Sequence, residues 1–123
     1  MMIRYSLNGA LVWLIAFCTA GAVKAQSNIK FTTLTVKEGL SSNTVNAIVK
    51  DKYGVMWLGT ANGLSKFDGT NFTVYRRDTE NPYSLSSDGI LSLYEDHSGT
   101  LWIGSDAGGI SYYDRKFDRF VRY

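Results

Sequence analysis

Short apolar runs separated by turn residues recur along residues 40 to 123. In chain order they are VNAIVKD, VMWLGT, LSKFD and FTVYRR, followed by ILSLYED, TLWIGS, ISYYD and RFVRY. Each run has the length of a strand and is bounded by Gly, Asn, Asp or Ser. The pattern predicts two successive sets of four short antiparallel strands.

The two sets are copies of one another. LSSNTVNAIVKDKYGVMWLGT (40–60) aligns with LSSDGILSLYEDHSGTLWIGS (85–105) at a spacing of 45 residues, with seven identities. Most of the differences are conservative, such as Val45 against Ile90 and Thr60 against Ser105. A repeat of about 40 to 50 residues that contains four strands is typical of a β-propeller blade.

The runs VMWLGT and TLWIGS are apolar at consecutive positions, so both faces of each sheet must be covered. The predicted fold is therefore all-β: two four-stranded antiparallel blades of an incomplete propeller, with blade 1 over residues 40–84 and blade 2 over 85–123. We expect Trp57 and Trp102 to fill the space between adjacent blades. Gly59 and Gly104 are expected where neighbouring backbones converge.

Turn residues mark the ends of the predicted strands. Asp51 and Gly54, like Asp96 and Gly99, are first and last in a four-residue turn, where the Asp side chain caps the turn and Gly takes the position that strains other residues. The pairs at 62–63 (Asn-Gly) and 68–69 (Asp-Gly) predict two-residue type I′ hairpins.

Residues 1–25 have the composition of a helical signal peptide. Arg4 precedes an apolar run from Ala10 to Val23, and cleavage is expected after Ala25. The run is short for a membrane span, so the mature chain is expected to be periplasmic or otherwise exported, without a span. An uncleaved N-terminal anchor is the alternative.

Removal of this segment changes the charge and cysteine content. Of 13 Lys and Arg residues, Arg4 and Lys24 are lost, which leaves 11 basic residues against 11 acidic ones. A near-neutral chain lacks the concentrated basic face that nucleic-acid binding needs. Cys18 is lost as well, so neither a disulfide framework nor thiolate chemistry is expected.

The residue types that carry catalysis or bind metals are sparse. His97 is the only histidine and falls in a predicted turn, where zinc would find no second His and no Cys ligand. The stretch GSDAGG (104–109) lacks the Lys of a phosphate-binding loop. We therefore predict no catalytic residue, no metal, no cofactor and no enzymatic activity for this chain.

The pattern LSSNTVNAIVKDKYGVMWLGTANGLSKFDG resembles the two-component regulator propeller repeat, with its Asp-x-x-Gly turn, its LWIGT core and the Gly-Leu and aromatic-Asp pairs that follow. The resemblance covers roughly residues 28 to 123. With the signal peptide, it is similar to the N-terminus of hybrid two-component sensors of Bacteroidetes.

This resemblance implies a periplasmic propeller that binds oligosaccharides and signals by phosphorelay through a histidine kinase, which controls polysaccharide-utilisation genes. The parent protein would then be a sensor histidine kinase. Because the 123 residues include no kinase segment, the chain is interpreted as an N-terminal fragment. Residues 26–39 resemble an outer strand and are expected to close the ring by completing the last blade.

Loops are the expected place for a ligand, because the strands are occupied with packing. The side chains of Asn, Asp and Tyr suit sugar hydroxyls and ring faces. The candidate ligand-binding residues are Asn43, Asn62, Tyr83, Asp88 and Asp106. The expected partners are an oligosaccharide and the remaining blades of the parent sensor.

Two other functions remain open at the level of sequence. A secreted propeller enzyme, such as a glycan lyase or glycosidase, would need carboxylates that converge on one site. A structural interaction module would need no small ligand.

Overall fold

Each copy of the repeat folds into one antiparallel sheet. The computed structural model describes residues 32–107 and 109–123. The first sheet has the order β1 (Val45–Lys50), β2 (Met56–Thr60), β3 (Gly63–Phe67) and β4 (Phe72–Tyr75), and the second has β5 (Ile90–Glu95), β6 (Leu101–Ser105), β7 (Gly109–Asp114) and β8 (Arg119–Arg122). The predicted all-β fold of two four-stranded antiparallel blades is thereby confirmed. The predicted signal peptide, residues 1–25, lies outside the described residues.

The described part of the segment before blade 1 contains no strand. Residues 32–35 have no regular secondary structure, and Val36–Glu38 form a single 3₁₀ turn. Thr35 caps this turn: its hydroxyl accepts from the Lys37 amide, and the Glu38 carboxylate accepts from the Thr35 amide at 2.7 Å. A strand needs a partner strand, so the proposed role of residues 26–39 in completing a last blade stays a prediction.

The repeated Asp fixes the first turn of each blade and joins it to the Trp six residues later. Asp51 Oδ1 accepts from the amides of Tyr53 and Val55 at 2.9 and 3.0 Å, while Oδ2 accepts from the Trp57 indole N–H at 2.8 Å. Asp96 makes the equivalent bonds, including one from the Trp102 indole at 2.9 Å. The turn itself closes through the glycine amide in both copies, with Gly54 at φ 84° and Gly99 at φ 87°.

The prediction of type I′ hairpins was wrong at both sites. A type I′ turn needs positive φ at both central residues, and Asp118 is the only non-glycine among the described residues with positive φ. The β2–β3 turn has Ala61 and Asn62 at its centre, with positive φ only at Gly63. The β3–β4 loop has four residues, and Asp68 Oδ1 accepts from the Thr70 and Asn71 amides to close it.

The two sheets pack face to face around the Trp57 side chain, which is fully buried. The Trp57 ring meets the Tyr113 ring edge-on at 4.8 Å, and Tyr75 meets Phe120 in the same way at 5.1 Å. A Cβ on Gly59 would lie 2.5 Å from Ile90 Cγ2, so this position admits no side chain without movement of the second sheet. The buried apolar core comprises Trp57, Leu64, Leu85, Ile90, Leu101, Ile103, Tyr113 and Phe120.

The opposite face of blade 2 is open in the described part of the chain. Trp102 is only half-buried and contacts Tyr112 and Tyr123, with ring centroids at 5.4 and 5.7 Å. Tyr94 and Tyr123 are 61% and 92% exposed. The nearest atom to a Cβ on Gly104 belongs to Ser92 of its own sheet. Trp57 and Trp102 thus have different environments, because within the described residues a neighbouring sheet covers Trp57 and none covers Trp102.

A hydrogen-bonded carboxylate joins the two blades beside this core. Asp118 Oδ1 accepts from the hydroxyls of Tyr75 in blade 1 and Tyr113 in blade 2, at 2.7 and 2.6 Å. Asp118 holds φ 50°, a left-handed conformation that Asp tolerates better than most residues. The Tyr113 hydrogen bond lowers the pKa of Asp118, burial opposes that shift, and the Tyr75 bond lowers it further.

Replacement of the two tryptophans is expected to have unequal effects on stability. Trp57→Ala removes a fully buried ring and leaves a cavity, which costs about 3 to 5 kcal/mol of unfolding free energy. Trp102→Ala removes a half-buried ring and should cost about half of that or less. Urea denaturation of the two variants measures the difference, and equal losses would show that the Trp57 face is not the core.

The Asp118 carboxylate predicts a pH dependence of stability. Since its folded pKa lies below the ordinary value of 3.8, its contribution is complete above that value and is lost as the pH falls through the folded pKa. Asp118→Asn retains the backbone conformation but removes the charge. It should lower the unfolding free energy by about 1 kcal/mol at pH 7, and this loss should shrink towards zero as the pH falls through the folded pKa.

Denaturant unfolding of wild type and Asp118→Asn across this range measures the effect. Tyr75→Phe removes one of the two hydroxyl donors to Asp118 and should lower the unfolding free energy by less than Asp118→Asn does. A difference between wild type and Asp118→Asn that stays constant with pH would contradict the assignment.

Candidate functional site

One end of the two sheets is formed by the loops that carry most of the predicted ligand residues. The Ala61 amide of the β2–β3 turn donates to Thr44 O at 3.0 Å, and the Asp106 amide of the β6–β7 turn donates to Gly89 O at 2.9 Å. In each blade, the turn between the second and third strands therefore contacts the loop that precedes the first strand. The Gly63 amide donates to Asp88 O at 2.6 Å and joins the two blades there. The sequence candidates that share this loop end are Asn43, Asn62, Asp88 and Asp106.

Three of these four side chains already accept a hydrogen bond within the loops. Asn43 Oδ1 accepts from the Val36 amide at 3.0 Å, and Asp88 Oδ1 accepts from the Arg77 amide at 2.6 Å. Asp106 Oδ1 accepts from the Ser87 hydroxyl at 2.7 Å. Asn62 is exposed, and within residues 32–107 and 109–123 only its backbone atoms form hydrogen bonds.

The structure does not bring Tyr83 to the loop end. Its carbonyl accepts from the Phe120 amide at 2.8 Å, which places it beside the outer strand β8. The Arg119 guanidinium lies 4.2 Å from the centre of its ring. Tyr83 therefore lies at the outer edge of blade 2, apart from the other four candidates.

A cleft opens at the opposite end of the sheets, between the two blades. Its volume is about 350 Å³, and it is lined by Tyr53, Val55, Trp57, Lys66, Tyr113 and Arg115. Tyr53 comes from the β1–β2 turn, Lys66 from β3 and Arg115 from the β7–β8 turn. Sequence reasoning missed this cleft because its residues come from two blades and form no local motif.

The cleft is bounded by an ion pair between the blades. Arg115 Nη1 lies 3.0 Å from Asp51 Oδ2, whose side chain is completely buried, and Arg115 Nη2 donates to Gly99 O at 3.2 Å. Burial raises the pKa of Asp51, but the hydrogen bonds from Trp57, Val55 and Arg115 outweigh it, so the net pKa is below the ordinary value. The Asp51 carboxylate is therefore charged at neutral pH and fixes the position of the guanidinium.

The equivalent carboxylate of blade 2 lacks such a cation among the described residues. The Trp102 indole and the Ser98 hydroxyl, followed by the Thr100 amide, lower the pKa of Asp96 to about 2. The ion pairs of the described residues are Arg115 with Asp51, Arg115 with Glu95, and Arg119 with Asp114. The Asp-Trp bond is thus common to both blades, and the arginine is specific to the junction between them.

Residues 32–107 and 109–123 contain no cluster of three His, Cys, Asp or Glu side chains that could hold a metal ion. They also contain no helix long and apolar enough to span a membrane.

Comparison with known proteins identifies the repeat. The family model described as two component regulator propeller matches residues 39–62 and 84–107, one match for each blade. A protein named histidine kinase P4 from Formosa agariphila is 46% identical over 66 residues, which are 53% of this chain and 5% of that protein.

Two solved structures from B. thetaiotaomicron have the same fold. The extracellular domain of BT3049, assigned to the hybrid two component systems, superposes with a TM-score of 0.67 at 30% identity and covers 75% of this chain. The extracellular domain of BT4673, with the same assignment, gives a TM-score of 0.62 at 27% identity and covers 78%.

The chain spans only a small part of each of these relatives, 13% of the first structure and 14% of the second. Both matched repeats nevertheless contain the Asp-x-x-Gly turn and the tryptophan whose indole N–H donates to that Asp. Each blade of this chain thus matches the two component regulator propeller model, and the two blades are similar to the extracellular domains of hybrid two component systems.

Proposed function

We propose that this chain is part of an extracellular sensor that binds an oligosaccharide and controls polysaccharide-utilisation genes through a histidine kinase. The observation that carries the proposal is the family match in both blades, together with the 30% identity to an extracellular domain of a hybrid two component system. Transfer of a signal needs segments outside the 123 residues, because a rigid propeller acts as a sensor only when ligand favours one arrangement of the whole protein.

The surface chemistry of the blades suits a sugar. Exposed amide and carboxylate groups at the loop end can donate to and accept from hydroxyls, and the Asn62 side chain forms no hydrogen bond among the described residues. Tyr53, which is 62% exposed beside the cleft, offers an aromatic face. Rigid strands hold both features in place, which limits the entropy lost on binding.

An exported glycan lyase or glycosidase is less well supported. Such an enzyme needs two carboxyl groups that face one substrate. The six residues that line the cleft include no carboxylate. At the loop end, Asp88 and Asp106 accept hydrogen bonds from their own loops.

Calorimetric titration of the chain with a panel of neutral and acidic oligosaccharides tests the proposal. Binding of at least one oligosaccharide is expected, with Asn62→Ala weakening it by about tenfold through loss of its hydrogen bonds to the ligand. Asn71→Ala is the matched control, since Asn71 is also an exposed turn asparagine but lies at the opposite end of blade 1. If the chain binds none of the oligosaccharides, the sensor proposal is lost.

A further inference from the structure

The charges of the cleft between the blades are not balanced among the residues that line it. Lys66 and Arg115 are both cationic, and the other four lining residues are Tyr53, Val55, Trp57 and Tyr113. Asp51 balances Arg115 in a 3.0 Å ion pair. None of the ion pairs formed by residues 32–107 and 109–123 involves Lys66. Lys66 therefore forms no direct ion pair within the described residues, although its charge helps to lower the pKa of the Asp118 carboxyl, after the hydrogen bonds from Tyr113 and Tyr75.

The Lys66 amine is held in place by aromatic rings. Its Nζ lies 5.7 Å from the ring centres of Trp57 and Tyr75 and 5.8 Å from that of Tyr113. Rings attract the cation through their faces but accept no conventional hydrogen bond, and within residues 32–107 and 109–123 no oxygen accepts one from the Lys66 amine. An acceptor that enters the cleft would complete the coordination of an amine that is already positioned.

Tyr53 provides the second half of a binding site. Its ring is 62% exposed, and the Arg115 guanidinium lies 4.6 Å from its centre, which fixes the ring at the edge of the cleft. An exposed aromatic ring can cover the apolar face of a small cyclic molecule. The volume of about 350 Å³ lies at the lower end of the range for small-molecule sites, about 300 to 1,000 Å³.

Three of the side chains that line the cleft stand at positions where the two repeats differ in chemical type. In the aligned copy, Ser98 takes the place of Tyr53, Tyr112 that of Lys66, and Gly69 that of Arg115. Trp57, which belongs to the buried core, is by contrast the same residue as Trp102 in the other copy. Tyr53, Lys66 and Arg115 are thus not among the residues that the two repeats share.

We propose that this cleft binds an acidic sugar of the uronic acid class, with the carboxylate at the Lys66 amine and the sugar ring against Tyr53. The inference rests on the proposed function for the ligand being a sugar. We infer a carboxylate on the sugar because Lys66 is the one lining cation without a direct ion pair among the described residues. A charge-assisted hydrogen bond to one ammonium group suits a monoanion.

Galacturonate and galactose are the probes, because they differ only in a carboxylate in place of a hydroxymethyl group. Calorimetry of the whole chain at pH 7 should show galacturonate binding at least about tenfold more tightly, with an affinity that falls as salt is raised. Lys66→Gln and Tyr53→Ala should each reduce galacturonate affinity by about tenfold.

Matched variants control for indirect effects. Lys50→Gln removes an exposed lysine from β1, and Tyr94→Ala removes a tyrosine that is 61% exposed on blade 2. Both should bind galacturonate as wild type does. If Lys66→Gln does not fold, Tyr53→Ala carries the test, because an exposed turn side chain contributes little to the core.

The outcomes separate this inference from the proposed function. Equal binding of galacturonate and galactose, or wild-type binding by both cleft variants, would overturn the acidic-sugar site. Binding of neutral oligosaccharides that is weakened by Asn62→Ala would then still support the sensor proposal. Galacturonate binding at the cleft without any oligosaccharide binding would support the cleft and remove the oligosaccharide sensor.

Discussion

The structure depends on the need of each sheet to have both of its apolar faces covered. Trp57 on one face of blade 1 is buried by Ile103, Tyr113 and their neighbours on the facing side of blade 2. Trp102 occupies the equivalent position on blade 2, where the described residues cover its ring only partly. Coverage by a neighbouring sheet, and not any property of the single blade, therefore decides how much each residue contributes to stability.

The Asp-Trp hydrogen bond explains why the repeat keeps a polar residue close to its core. The indole N–H of a buried tryptophan needs an acceptor, and the Asp that caps the turn six residues earlier supplies it at 2.8 Å. The same carboxylate accepts from two backbone amides, so one side chain closes the turn and orients the ring. Turn geometry and blade packing are consequently coupled, and a change at Asp51 would disturb both.

The sequence could predict what is local or repeated. The two sheets could be predicted from apolar runs of strand length and from the Asp-x-x-Gly turns, because these signals lie within one repeat. The spacing of 45 residues showed that the second sheet copies the first. The type I′ prediction failed because the dipeptide Asn-Gly also fits a turn in which only the glycine has positive φ, and the neighbouring residues decide between them. The bonds of Arg115 to Asp51 and of Tyr75 to Asp118 span 64 and 43 residues, and no pattern in the sequence indicates either.

The same contrast between local signals and long-range contacts applies to the candidate site. All five loop residues were predicted to lie at one end, and four of them do, because the order of strands fixes which loops share an end. Tyr83 does not, because it belongs to a long connection whose path depends on tertiary packing. The cleft at the other end could not be found by looking for what the repeats share. Tyr53, Lys66 and Arg115 stand where the other copy has Ser98, Tyr112 and Gly69. In a protein built from copies, identical positions are those that packing requires, so the positions that differ while facing a common cavity are where binding specificity can be placed without loss of the fold.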